Sequence, residues 1–162
     1  MTSAEGVVEL IVRRPAEGER EVLEEAELDL EQGLVGDRWW KGPRADGEPQ
    51  DTSAQLTVMS VGALEQIEPD RSRWPLAGDQ LYVDLDIAHD TLPAGALLEI
   101  GSAVIEVTEA PHTGCGKFTA RFGSEATRLV NSKDGRRSRL RGMNARVVTP
   151  GTVRVGDAIR RR

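Results

Sequence analysis

Sulfur and imidazole are scarce in this chain. Its 162 residues include one cysteine, Cys115, and two histidines, His89 and His112. A single cysteine excludes an intramolecular disulfide framework, and with two histidines it cannot complete a protein-built zinc site at any usual spacing. Aromatic residues make up only 4% of the chain, with one Tyr and two Phe. Few stacking platforms and an acidic net charge of -6 disfavour nucleic acid as a partner. No stretch approaches the ~18 consecutive apolar residues of a membrane span. The opening residues, MTSAEGVVELIVRRP, lack the basic and long apolar regions of a signal peptide. The expectation is a soluble protein of the reducing cytoplasm, with neither a membrane nor a nucleic acid as partner.

What is present suits one domain spanning residues 1–162, long enough for a sizeable core. The charge is divided unevenly. Residues 112–162 hold 13 Lys/Arg against 3 Asp/Glu, a net of +10, and residues 1–111 carry -16. Basic groups gathered around the only thiol suit an anionic ligand, and they equally suit neutralisation of one half of the fold by the other.

Short segments with strand composition dominate. Residues 26–30 alternate apolar and acidic, and Leu81, Val83, Leu85 and Ile87 alternate with polar neighbours. Residues 7–12, 55–59, 96–100, 103–108, 145–149 and 152–155 read the same way, punctuated by Gly and Pro. This spacing predicts a mainly β protein, an antiparallel barrel or sandwich rather than βαβ units. Helix is scarce. Ser60 is placed to cap a short helix holding Ala63, Leu64 and Ile67. Phe118, Phe122, Ala126 and Leu129 form an apolar stripe that Gly123-Ser124 is expected to split, with Ser124 capping the second helix. Residues 41–53 and the basic residues 131–142 read as surface loops.

The chemistry centres on PHTGCGKFTARFG (111–123). Cys115 lies between Gly114 and Gly116, near Lys117 and Arg121, at an expected helix start; these surroundings favour a thiolate. A nucleophile, a persulfide carrier and a metal ligand are the working readings, against an inert buried thiol. His112 is suited to act as a base or hydrogen-bond partner toward Cys115, or to be purely structural; no third orienting group is evident. His89, between Asp86 and Asp90, reads as a turn residue. GLVGDR (33–38) matches no nucleotide-phosphate motif, and its Asp37–Arg38 neighbours read as a surface pair at a turn. Arg136, Arg137, Arg139 and Arg141 suit an anion clamp or a solvated loop. A metal delivered inside an organic cofactor needs only one protein ligand, and a soft thiolate suits molybdenum.

Taken in order, GLVGDRWW (33–40), QLTVMS (55–60), LYVDLDIAHDTLPAGALLEIGSAVIEVTEAPHTGCGKF (81–118), RFG (121–123) and LRGMNARVVTPGTVRVGDAI (140–159) resemble the MOSC domain family, in particular its small stand-alone members. The family is named for the C-terminal domain of molybdenum-cofactor sulfurases. The resemblance implies a β-barrel with a few short helices, and sulfur or molybdenum chemistry at Cys115, as persulfide carrier or as ligand of molybdenum held by a pterin. It implies cations for the phosphate of that pterin, for which Arg38, Lys117, Arg121 and Arg141 are candidates, with Asn144 as a polar contact and His112 beside the thiol. A sulfur donor or a cofactor client protein is the implied partner. Relatives that reduce N-hydroxylated compounds imply an alternative activity, which here requires an external reductase because the sequence shows no second redox centre. A non-catalytic anion-binding module is the third reading.

Overall fold

Strand β1 (Glu5–Arg13) organises the sheet because three strands pair with it in succession. These are β11 (Ala158–Arg161) at its start, β6 (Leu81–Asp84) along its middle and β2 (Glu21–Leu23) at its end. Beyond β6 the order runs through β5 (Leu56–Ser60), β9 (Met143–Thr149), β8 (Ala103–Val107) and β7 (Leu97–Ile100) back to β11. The ring therefore closes into a seven-stranded barrel with β2 attached outside it, in the computed structural model that describes residues 5–162. Closure leaves the ring without an unpaired edge. A separate small sheet places β3 (Glu25–Asp29) between β10 (Gly151–Arg154) and β4 (Gly33–Leu34). The mainly β barrel expected from the alternating segments is the fold observed.

Every pairing in the ring is antiparallel except β5 with β6. A parallel pair cannot be joined by a tight hairpin. Here α1 (Val61–Ile67) and a 3-10 segment (Arg71–Ala77) make the crossover. That crossover ends at Gly78-Asp79-Gln80, directly before β6, and so delivers residues 75–79 to one end of the barrel. Inward side chains such as Val8, Ile11, Val58, Val83, Leu98 and Ile105 fill the interior. Each large one contributes roughly 1.5–3 kcal/mol by leaving water. Outside the ring, Val12, Met59, Leu64, Trp74 and Tyr82 form a second core under the crossover. Its polar atoms are satisfied there: Trp74 Nε1 donates to the Glu68 carbonyl at 2.7 Å, and the Tyr82 hydroxyl donates to the Trp74 carbonyl at 3.2 Å.

The helices differ from expectation in detail. Ser60 stands at the N-cap of α1, but its side chain makes no capping bond. The stripe over 117–131 does break at Gly123, giving α2 (Gly116–Phe122) and α3 (Ser124–Asn131). The cap of α3 is Gly123 at φ +95°, and Ser124 is already helical. The basic stretch 131–142 is not all loop. Ser132 accepts from the Gly135 N–H and starts α4 (Lys133–Arg137), a local cap overlooked among so many charges. Residue 135 must be Gly because a Cβ there would lie 2.0 Å from the Leu129 carbonyl oxygen.

Candidate functional site

The loop after β8 carries the thiol to the barrel end. Two asparagines fix it. Asn144 on β9 donates from Nδ2 to the carbonyls of Ala110 (3.0 Å) and Pro111 (3.2 Å). Asn131, at the end of α3, accepts from the Gly114 N–H at 2.8 Å and donates to the Gly114 carbonyl at 3.0 Å. Gly114 packs so closely that a Cβ would stand 3.0 Å from Val130 Cγ2. Cys115 follows as the N-cap residue of α2, in extended conformation and exposed.

No side-chain capping bond closes at the sulfur. The Phe118 N–H nevertheless lowers the thiol below its ordinary pKa most, and partial burial opposes it. The Lys117 N–H and the charge of Arg141 then add to the lowering. More thiolate at neutral pH means a better nucleophile and a soft metal donor.

His112 does not bond to Cys115. Its Nε2 lies 3.1 and 3.2 Å from the two carboxylate oxygens of Asp79, a fully buried acid at the end of the crossover. Arg141 Nη1 donates to the same carboxylate at 2.7 Å. Burial alone would push the Asp79 carboxyl up, but Arg141 and His112 together hold it down to about 2. Asp79 is therefore the orienting group for His112 that was not evident in the sequence. Gly142 lets the three side chains meet: at φ +114°, a Cβ there would fall 2.8 Å from Asp79 Oδ2 and 3.0 Å from His112 Cδ2.

Four arginines converge on the four carbonyls that precede Asp79. Arg20 Nε donates to Pro75 O (3.0 Å), Arg121 Nη1 to Leu76 O (3.0 Å), Arg141 Nη2 to Ala77 O (2.9 Å) and Arg14 Nη1 to Gly78 O (3.1 Å). Arg14 has Asp37 as counter-charge at 2.7 Å, and Arg141 has Asp79. Among the described residues, Arg20 and Arg121 have no carboxylate partner. Burial, followed by the charge of Arg121, lowers the Arg20 pKa; Arg14 and Arg38 lower it further. Arg38 contributes a buried Nε with no partner. Asp37, expected to pair with Arg38 on the surface, is instead buried and taken by Arg14. Lys117 reaches Glu17 at 3.1 Å on the surface.

The expected cations thus separate. Arg38 lies near enough to Glu17, the partner of Lys117, and to Arg20 to shift the pKa of both. Arg20 and Arg121 meet at Gly78, so these cations share one region, to which Arg20 was not assigned from the sequence. Arg141 is an internal support of that region, stacked over Phe118 at 4.9 Å. Asn144 holds the loop. Arg139 is buried and donates to the Ile87 and Leu92 carbonyls, and Arg137 pairs with Asp90 at 3.0 Å. A cavity of about 400 Å³ opens beside the loop, lined by His112 and Thr113 but not by Cys115. His89 lines its other side. Among the described residues no three His, Cys, Asp or Glu side chains form a metal-binding group, and no helix is long and apolar enough to cross a membrane.

Residues 55–160 match the sequence model of the MOSC domain. The chain belongs to the MOSC domain family. Solved structures share the fold of this MOSC protein. The YUAD protein from Bacillus subtilis superposes with a TM-score of 0.68 at 16% identity, over 96% of this chain and 94% of that one. YiiM from Escherichia coli gives 0.61 at 21% identity, over 96% and 69%. YiiM from Geobacillus stearothermophilus gives 0.57 at 13%, over 97% and 73%. No curated protein matches the MOSC chain in sequence. The family expectation is met on both sequence and fold, and membership links the chain to molybdenum-cofactor biology in general terms.

Proposed function

We propose that this MOSC protein is a carrier that holds the molybdenum cofactor, or sulfur destined for it, at Cys115. The observation that carries the reading is an exposed thiol of lowered pKa at the start of α2, on the same short helix as Lys117 and Arg121. Arg121 lies about 9 Å along the helix from the thiol.

The residues present fit such a cofactor. A soft thiolate suits molybdenum. The cluster of Arg20, Arg38 and Arg121, with the orphaned Nε of Arg38, suits a phosphate, which guanidinium groups bind through paired N–H donors. When bound, the cofactor would supply redox chemistry at molybdenum. The chain's own residues do the rest. Cys115 offers the sulfur, and the Phe118 and Lys117 N–H groups favour its thiolate form. Arg20, Arg38 and Arg121 hold the anionic end, while Asn131 and Asn144 fix the loop. Lys117 is available to the anion once Glu17 is displaced. Transfer requires a sulfur donor or a client protein.

The alternative, reduction of N-hydroxylated compounds with electrons from an external reductase, calls for a substrate space opening onto the sulfur. The 400 Å³ cavity begins two residues away and is not lined by Cys115, so the carrier reading is preferred. A purely anion-binding module acting through Arg139 or Arg141 is less well supported, because both side chains are buried in internal bonds.

The test is pterin retention. Protein made in a host that synthesises the cofactor is assayed for bound pterin as wild type, Cys115→Ala and Arg20→Gln/Arg121→Gln. The carrier reading expects pterin in wild type and its loss from the arginine variant. Equal pterin in wild type and the arginine variant would remove the phosphate role of that surface.

A further inference from the structure

The 400 Å³ cavity is separate from the guanidinium surface and from the sulfur. Its walls are the loop 108–113, the end of α3, α4, the turn before β9, and His89 with Ala94. The volume falls in the range of small-molecule sites, ~300–1,000 Å³. The lining has two parts. Ala94, Pro111, Val130 and Met143 present apolar surface. Arg136, Arg139 and Arg141 present guanidinium groups, against Glu109 as the sole carboxylate of the lining.

One of these groups has its whole hydrogen-bonding capacity to spare. Arg136 is exposed on α4 and makes no ion pair or side-chain hydrogen bond among the described residues. Arg141 is nine-tenths buried, its terminal nitrogens are committed to Asp79 and the Ala77 carbonyl, and its Nε is sealed from solvent, so it forms wall without a donor to spare. His112, with Nε2 engaged by Asp79, keeps its other ring nitrogen for hydrogen bonding.

We propose that this cavity is a binding site for a small organic acid, a monocarboxylate with a compact apolar body, whose carboxylate is met by the exposed guanidinium of Arg136. The apolar body fills the space between Val130, Pro111 and Met143, where it leaves water. A carboxylate is preferred to inorganic phosphate because only Arg136 brings a wholly uncommitted guanidinium, and half of the lining would gain nothing from a fully hydrated ion. The site stands apart from the Cys115 reading and does not need a bound cofactor.

The experiment is titration of the full-length protein with benzoate, its neutral counterpart benzamide, and inorganic phosphate, followed by calorimetry and by amide NMR shifts. Benzoate is expected to saturate, to move the Thr113 and Gly142 amides, and to bind at least tenfold more tightly than benzamide or phosphate. Arg136→Gln should weaken benzoate about tenfold, the loss of one charge-assisted contact. Ala94→Trp, an exposed position at the cavity edge, should abolish binding by filling the space while leaving the fold intact. Cys115→Ala should bind benzoate as wild type does, so failure of the carrier reading leaves this result standing. No saturable benzoate binding overturns the proposal. Benzamide or phosphate binding as tightly as benzoate, or an Ala94→Trp variant that still binds, also overturns it.

Discussion

Arg141 and Asp79 meet at 2.7 Å with both side chains shut away from water. The pair sits where the crossover re-enters the barrel, and it joins two functions. Asp79 orients His112 in the cavity wall, and Arg141 lowers the Cys115 thiol from below. A buried ion pair of this kind is costly to break because the survivor keeps its charge without its partner.

Asp79→Ala is therefore expected to destabilise the protein by about 3–5 kcal/mol in chemical denaturation. Adding Arg141→Met to it should restore much of that loss, since the orphaned charge goes too. A double variant as unstable as the sum of the two single ones would show that the pair is not coupled.

Acid unfolding should report the same carboxylate. Its ordinary value is 3.8, and in the folded protein it is held down to about 2. A depressed acid contributes stability that is complete above its unfolded value and lost as pH falls through its folded value. The contribution is about 2 kcal/mol, present above pH ~4 and lost toward pH ~2. Denaturation of wild type across this window should fall more steeply than that of Asp79→Asn, whose side chain does not titrate.

The thiol offers a kinetic readout. Because the Cys115 pKa is lowered, its alkylation by iodoacetamide should reach half-maximal rate at a lower pH than that of a cysteine in an unstructured peptide. Urea should return the midpoint to the peptide value. A folded-state midpoint at or above the peptide value would contradict the helix-start electrostatics.

Glu17 is the acid that occupies Lys117 at the surface. Glu17→Gln is expected to leave the melting temperature unchanged, as exposed pairs contribute little. It should also tighten binding of phosphate to the Arg20–Arg38–Arg121 surface, measured by calorimetry, and add to its salt sensitivity. Unchanged phosphate binding would place Lys117 outside that surface.

The barrel was legible because inward and outward positions alternate in each short strand and Gly or Pro marks the turns. The Gly123 break and the exposed cysteine were legible for equally local reasons. The site's supports were not. Arg14, Arg20, Arg121 and Arg141 reach consecutive carbonyls at residues 75–78 from 45 to 64 positions away. No local pattern announces that convergence. The cluster 136–141 read as an anion clamp or a solvated loop, yet Arg139 and Arg141 turn inward because carbonyls and Asp79 await them there. Asp79 was not singled out in the sequence, since its meaning depends on a histidine 33 positions on.

The most direct measurement is molybdenum and sulfane sulfur per chain, in wild type and Cys115→Ala purified side by side from a cofactor-producing host. A carrier at Cys115 predicts near-stoichiometric molybdenum or cyanide-labile sulfur in wild type, and its disappearance from a variant that remains folded. Neither species in wild type, or equal amounts in both proteins, would contradict the assignment of Cys115 as the working atom.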